Sequence, residues 1–259
     1  GHIQSSLDIV RPYLSHSMNT GRRGVNLYIH GAPGTGKSQL ARTLAAELGC
    51  ELFEVSSEDA DGDPVDGEHR LRAFRAAQSF FATRRALIVF DEVEDVFNDG
   101  GRAQTRKAWI NRMLEENAVP TLWLSNSISG LDQAFIRRFD MVFELPVPPK
   151  LQRKQIIQAT CHDLFDATSA ARIAEAESLA PAVVAKAASV VRAIGDQFDS
   201  AYKVKALEHL IGNTLEAQGH AGLKRHDANR LPDLYDPAFI HANADLAQLA
   251  EGLIESRTA

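Results

Sequence analysis

Cysteine is scarce in this sequence, and its scarcity excludes two kinds of site. Only Cys50 and Cys161 occur among 259 residues, too few and too isolated for a disulfide framework or a thiolate zinc site. Long apolar runs are also missing: none reaches the roughly 18 residues that a membrane-spanning helix needs. These two absences predict a protein of the reducing cytoplasm without a membrane partner.

An excess of basic charge is absent as well. The formal net charge is −6, which argues against nucleic acid or an anionic membrane surface as the main partner. The apolar share of 44% and the charged share of 24% are ordinary for a globular protein with an ample core. The chain begins Gly1-His2 without Met, as an excised fragment would.

Short β-rich runs alternate with helical patterns in the first half of the chain. Strands are predicted at Val25–His30, Glu51–Ser56, Ala86–Asp91, Pro120–Asn126 and Met141–Leu145. Helices are predicted between them at Lys37–Leu48, His69–Thr83 and Ala103–Asn117. Three strand candidates are nearly continuous apolar runs, as expected where both faces of a strand are buried. The alternation therefore predicts an α/β fold in which helices cover both faces of a five-stranded parallel sheet.

The pattern changes at Pro146–Lys150, where three prolines in four residues indicate a linker. Helical patterns follow at Leu151–Leu164, Ser169–Ser178, Pro181–Ile194 and Asp199–Ala217, and a last one at Asp245–Glu255. We expect an α/β core over residues 1–148 and a small all-helical lid over 149–219. Residues 220–259 are expected to hold a linker and one further helix.

A glycine-rich segment, GAPGTGKS, fits the phosphate-loop motif G-x-x-x-x-G-K-[ST] at every fixed position. It follows a predicted strand and opens a predicted helix, which is the context that gives the motif its meaning. Its glycines let several backbone N–H groups face phosphate oxygens, and the helix N-terminus adds positive potential. The residues expected to bind the nucleotide are Gly31, Ala32, Pro33, Gly34, Thr35, Gly36, Lys37, Ser38 and Gln39.

Two carboxylates end the apolar strand Ala86–Phe90. Asp91 and Glu92 would emerge at the carboxyl edge of the sheet, where ligands of open α/β folds bind. We expect Asp91 and the Ser38 hydroxyl to hold Mg²⁺, and Glu92 to activate the attacking water as general base. Glu94 and Asp95 suit the first turn of a helix better than a metal site. These residues together predict an ATPase with ATP and Mg²⁺ as its cofactors.

The two motifs and the segments after them resemble the AAA+ ATPase family over roughly residues 1–219. The resemblance implies the strand order 5-1-4-3-2. It also implies that Asn126, at the end of the strand in LWLSNS, is a catalytic sensor that contacts the γ-phosphate or the lytic water. The alternative for Asn126 is a turn former before Gly130.

The stretch LDQAFIRRFD is similar to the segment in which this family carries arginine fingers. Arg137 and Arg138 occupy that position, and the sequence does not say which of them acts. A guanidinium offers a planar fork of donors to charge that develops on the transferred phosphoryl group. The resemblance implies a homo-oligomeric ring with shared active sites. The alternative is a pair of structural arginines bonded to carboxylates such as Asp140.

Two segments depart from the family's pattern. Many remodelling members grip protein substrates with an aromatic pore-loop residue, but Glu58–Glu68 holds six acidic residues and no aromatic. It is either a solvated loop or an acidic docking surface. Some members place an arginine at the start of a lid helix, where this chain has Ala180-Pro181. Lys186 and Arg192 are weak substitutes.

Three functions remain open. The leading one is an oligomeric motor that remodels protein partners with energy from MgATP. The second is a nucleotide-dependent assembly switch or scaffold with slow hydrolysis, and the third, disfavoured by charge, is a clamp-loader-like factor on DNA.

Leu234–Ala259 resembles the stretch that precedes a P-loop in bacterial AAA+ domains. Residues 220–259 are thus expected to hold a linker and the first helix of a second module in a tandem protein. The alternative is an ordinary C-terminal helix docked on the lid.

Overall fold

The computed structural model describes residues 2–59, 61–97, 103–129, 131–164, 167–194 and 199–223. Its strands are β1 (Asn26–His30), β2 (Glu51–Glu54), β3 (Ala86–Phe90), β4 (Thr121–Ser125) and β5 (Met141–Glu144). Its helices are α1 (His2–Thr20), α2 (Lys37–Leu48), α3 (Gly67–Phe80), α4 (Glu94–Phe97), α5 (Ala103–Glu116), α6 (Gln133–Ile136), α7 (Lys150–Cys161), α8 (Ala167–Ile173), α9 (Pro181–Ile194) and α10 (Ser200–Ala217). The helix expected at Asp245–Glu255, and the second module it would begin, lie outside the described residues.

The five strands form one parallel sheet in the order β2-β3-β4-β1-β5. This confirms the predicted fold class, and it is the strand order that the family resemblance implied. The central strand β4 pairs with β1 from Asn26↔Thr121 to His30↔Ser125, so these two strands end at the same level. The segments after β1, β3 and β4 therefore meet at one edge of the sheet.

Side chains of successive strand residues pack on opposite faces of the sheet. Tyr28, Phe90 and Trp123 belong to a cluster with residues of α3 and α5, and they are no more than 2% exposed. Leu27 and Leu122, one position away on the same strands, pack with residues of α1 and α2 and are fully buried. Because strand side chains alternate between faces, a continuous apolar run fills both cores at once.

Helix α1 is the one long element of the described chain that the sequence analysis did not predict. It contains Pro12 and presents only a narrow apolar stripe. Val10 and Leu14 of that stripe are fully buried against the α2 face of the sheet. The helix thus covers sheet surface that α2 alone would leave exposed.

Helices α7 to α10 share a separate hydrophobic cluster, which includes Ile157, Val184 and Ile211. Arg153, 6% exposed, donates to the carbonyl oxygens of Pro148 and Ala174 and so ties the proline linker to these helices. The boundary expected between residues 148 and 149 stays a prediction. Of the helices in the described ranges, none is long and apolar enough to cross a membrane.

Candidate active site

The phosphate loop connects β1 to α2 at the carboxyl edge of the sheet. Gly34 and Gly36 have φ angles of 78° and 101°, values that glycine adopts without the strain a side chain would bring. Gly36 is the N-cap of α2 and has no side chain that could bond to the first N–H groups of that helix. The loop therefore presents backbone donors and the positive end of a helix to an anion such as phosphate.

Lys37 joins the phosphate loop to the end of β4. Its Nζ donates to the Gly31 carbonyl at 2.7 Å and to Asn126 Oδ1 at 3.0 Å, and the residue is only 7% exposed. Burial lowers the pKa of Lys37, while the negative charges of Asp91, Glu94 and Glu92 oppose that shift. Three carboxylates therefore lie close enough to act on this lysine.

Ser38 and Asp91 form the pair expected to hold magnesium. Ser38 Oγ donates to Asp91 Oδ2 at 2.7 Å, so a hydroxyl and a carboxylate from two segments meet beside the phosphate loop. Within the described residues no cluster of three or more His, Cys, Asp or Glu side chains could hold a metal ion. Magnesium usually takes one or two carboxylates and completes its shell with water and substrate phosphates. The pair fits that ion.

Glu92 has a strained backbone that two neighbours restrain. Its φ is 52°, and no other described residue except glycine has a positive φ. Its N–H donates to Asp91 Oδ1 at 2.8 Å. Arg70 of α3 donates to the carbonyl oxygens of Asp91 at 2.5 Å and of Glu92 at 3.2 Å. The sequence analysis missed Arg70, because no motif distinguishes it from the other arginines of α3.

Asn126 follows β4, as predicted, and its side chain reaches the phosphate loop through Lys37. Its backbone N–H donates to Glu94 Oε1 at 2.6 Å, and Ser125 Oγ donates to the same oxygen at 2.8 Å. Glu94 begins α4, as predicted for a first-turn residue. It also holds the end of β4, which the sequence analysis did not foresee.

Arg137 and Arg138 follow α6, whose N-cap is Asp132. Both are exposed, and with Asn111 they line a cleft of about 330 Å³. Arg138 forms an ion pair with Glu115, a carboxylate partner of the kind that the structural alternative expected. In the described part of the chain neither arginine bonds to the phosphate loop. Their exposure suits a role at an interface, which stays a prediction.

Helix α9 contacts the phosphate loop directly. The N–H of Ala182 donates to the Gly34 carbonyl at 3.2 Å, one residue after Pro181 opens the helix. Lys186 and Arg192, considered above as substitutes for a lid arginine, do not share this position. Lys186 is exposed, and Arg192 donates to Asp163 Oδ2 at 2.9 Å.

Comparison with known proteins identifies the domain. Residues 27–147 match the model of the ATPase family associated with various cellular activities (AAA). These residues form a domain of the AAA family of ATPases. The matched segment begins within β1 and ends after β5, so it contains the phosphate loop, Asp91, Glu92, Asn126 and both arginines.

This AAA domain is similar to domains of several differently named proteins. The ATP-dependent zinc metalloprotease FtsH of Lachnoclostridium phytofermentans is 27% identical over 168 residues, which cover 59% of this chain and 29% of that protein. The structure of C. elegans PCH-2 aligns with a TM-score of 0.60 at 18% identity, over 80% of this chain and 69% of that one. The FIGL-1 AAA domain, solved in complex with ADP, aligns with a TM-score of 0.51 at 21% identity, over 75% and 76% of the two chains. The two structures support the fold alone, and the chain spans less than a third of the FtsH relative.

Proposed function

We propose that this chain binds ATP with Mg²⁺ and hydrolyses it. One observation carries the proposal: Lys37, Ser38, Asp91 and Asn126, which come from three segments, are joined by hydrogen bonds of 2.7–3.0 Å at one edge of the sheet. A cation, a hydroxyl, a carboxylate and a neutral amide at that edge form the donor and acceptor set that phosphoryl transfer requires. Membership in an ATPase family supports the same conclusion.

Each side chain then has a separate task. Lys37 balances phosphate charge, and the backbone of residues 31–38 orients the phosphates. Glu92 takes a proton from the attacking water, and Asn126 orients that water or the γ-phosphate. Magnesium bound at Ser38 and Asp91 would neutralise charge on the phosphates.

Two variants separate binding from hydrolysis. We expect Lys37→Ala to abolish ATP binding, because the phosphates lose their main cation. Glu92→Gln should bind ATP normally but lower kcat by roughly 10²–10⁴-fold, because an amide cannot accept the proton from water. Lys205→Ala, an exposed change on α10, is the control that should match the parent chain. Hydrolysis by Glu92→Gln at the parent rate would refute the general-base assignment.

Arg137 and Arg138 are proposed to act on the ATP of a neighbouring subunit in a homo-oligomer. Their exposure on the described surface, where they line one cleft, supports this arrangement. Arginine fingers can contribute roughly 10³–10⁵-fold in rate, so specific activity should rise with protein concentration. Mixing Glu92→Gln subunits with Arg137→Ala/Arg138→Ala subunits should restore activity, since intact halves can meet. Turnover by a monomer that is independent of concentration would contradict the shared site.

Remodelling of protein partners is the role we propose for the hydrolysis. The support is the similarity to FtsH, which is named as an ATP-dependent protease. An assembly switch is the second candidate, because Glu58–Glu68 has no aromatic residue with which to grip a polypeptide. A DNA-loading factor is disfavoured by the net charge of −6, and the proposal of a cytoplasmic location rests on composition alone. Steady-state ATP turnover with and without unfolded protein or DNA separates the three: stimulation by protein supports the motor, stimulation by DNA supports the loader, and slow unstimulated turnover supports the switch.

A further inference from the structure

Arg70 is a buried cation that the phosphate-binding motifs do not use. It belongs to α3 and is 3% exposed. Its guanidinium lies over the Phe90 ring with Cζ 4.4 Å from the ring centroid, and it bonds to the carbonyl oxygens of Asp91 and Glu92. Burial of a cation is costly unless it is well bonded. This one is stacked and bonded at the turn that carries the proposed general base.

The same turn holds the strained residue. A positive φ is unfavourable for glutamate and persists only where the surrounding structure restrains the backbone. Here the restraints are the bond from Glu92 N–H to Asp91 Oδ1 and the two bonds from Arg70. A guanidinium suits this task because its planar fork reaches two successive carbonyls while its face stacks on an aromatic ring. Lysine, with a compact charge, cannot do all three.

We infer that Arg70 is a positioning residue for hydrolysis: it holds the backbone of Asp91 and Glu92 so that the Glu92 carboxylate keeps a fixed place beside the phosphate loop. This inference rests on the function proposed above, since it needs Glu92 to act on water. The turn lies beside the loop, because Asp91 Oδ2 accepts from Ser38 Oγ at 2.7 Å. The bonds described for Arg70 go to the turn after β3 rather than to the phosphate loop, so its effect on nucleotide binding should be small.

Arg70→Met tests the inference, because methionine keeps packing against Phe90 and removes the donors. We expect kcat at saturating ATP to fall by about 10- to 100-fold, since misplacement by about 1 Å can cost about 10²-fold in rate. The Kd for ATP should stay within about threefold, because the loop is unchanged. Arg70→Lys should recover part of kcat. Arg72→Met, on the same helix with an exposed side chain that pairs with Glu68, is the matched control and should retain the parent kcat.

A double variant shows whether Arg70 acts through Glu92. In the Glu92→Gln background, Arg70→Met should change the single-turnover rate by less than about twofold, because the group it positions is already gone. A loss of thermal stability, in contrast, should persist in that background. If Arg70→Met does not fold, Arg70→Leu replaces it with the same expected result, since leucine also packs against Phe90 and has no donor.

Each result decides between the two proposals. If Glu92→Gln is slow but a folded Arg70→Met has the parent kcat, the positioning inference is overturned and the proposed function stands. If Arg70→Met lowers the rate equally in both backgrounds, or weakens ATP binding without lowering kcat, the inference is also overturned. If Glu92→Gln hydrolyses ATP at the parent rate, the proposed function fails and this inference fails with it.

Discussion

Replacing Glu94 would show whether the end of β4 must be held in place for hydrolysis. Glu94 Oε1 accepts from Ser125 Oγ at 2.8 Å and from the Asn126 N–H at 2.6 Å. Glu94→Ala removes both bonds. Glu94→Gln keeps an acceptor oxygen in the same place but removes the negative charge. The two variants therefore separate the loss of the bonds from the loss of their charge.

The size of the effect follows from these two bonds. A hydrogen bond to a charged group contributes about 1.5–3 kcal/mol, and one between neutral groups about 0.5–1.5 kcal/mol. Because solvent reaches this site, the lower values apply, so Glu94→Ala loses about 3 kcal/mol and Glu94→Gln about 2 kcal/mol. If these bonds act mainly in the transition state, kcat falls by about 100-fold and about 30-fold respectively. Both are upper bounds, since Asn126 keeps its bond to Lys37.

The assay is steady-state ATP hydrolysis at saturating nucleotide, with the Kd for ATP measured separately. Glu47→Gln is the matched control, because Glu47 pairs with Arg11 on the surface at 2.7 Å. We expect its kcat to stay within about twofold of the parent value. A Glu94→Ala variant with a kcat within twofold of the parent would refute the argument that this carboxylate positions Asn126.

Two further predictions concern stability without nucleotide. An added Cβ at Gly34 would lie 2.8 Å from Ala182 Cβ, whereas one at Gly36 meets nothing within 4 Å. Gly34→Ala should therefore lower the free energy of unfolding by more than Gly36→Ala, and equal losses would contradict the contact between α9 and the loop. Burial and the nearby carboxylate of Asp140 raise the pKa of Tyr13 from 10.0 to about 12. Between pH 10 and pH 12 the unfolded chain releases the Tyr13 phenol proton before the folded chain does, so the free energy of unfolding falls as pH rises. The difference in this free energy between the parent and Tyr13→Phe should therefore shrink over that range. A difference that does not change with pH would contradict this prediction.

Local patterns predicted the components of the site. The motif at residues 31–38, with the strand before it and the helix after it, was enough to predict a phosphate loop. The apolar run Ala86–Phe90 predicted a strand buried on both faces, with carboxylates at its end. Such features depend on neighbours within one turn or one strand, so sequence spacing encodes them.

Other features could not be predicted because they depend on contacts between distant segments. Arg70 lies 21 residues before Asp91, and in sequence it resembles its exposed neighbour Arg72. Helix α1 carries a proline and a narrow apolar stripe, so its burial becomes evident only beside the sheet.

Local patterns in the amino-acid sequence are enough to specify the strands, the phosphate loop and the carboxylates that follow β3. Which side chains restrain those groups depends on the folded chain: Arg70 at the turn after β3, Glu94 at the end of β4 and Ala182 at the loop. A chain segment's periodicity reports which of its faces is buried, whereas a hydrogen bond between segments depends on distances that exist only after the sheet has brought those segments together.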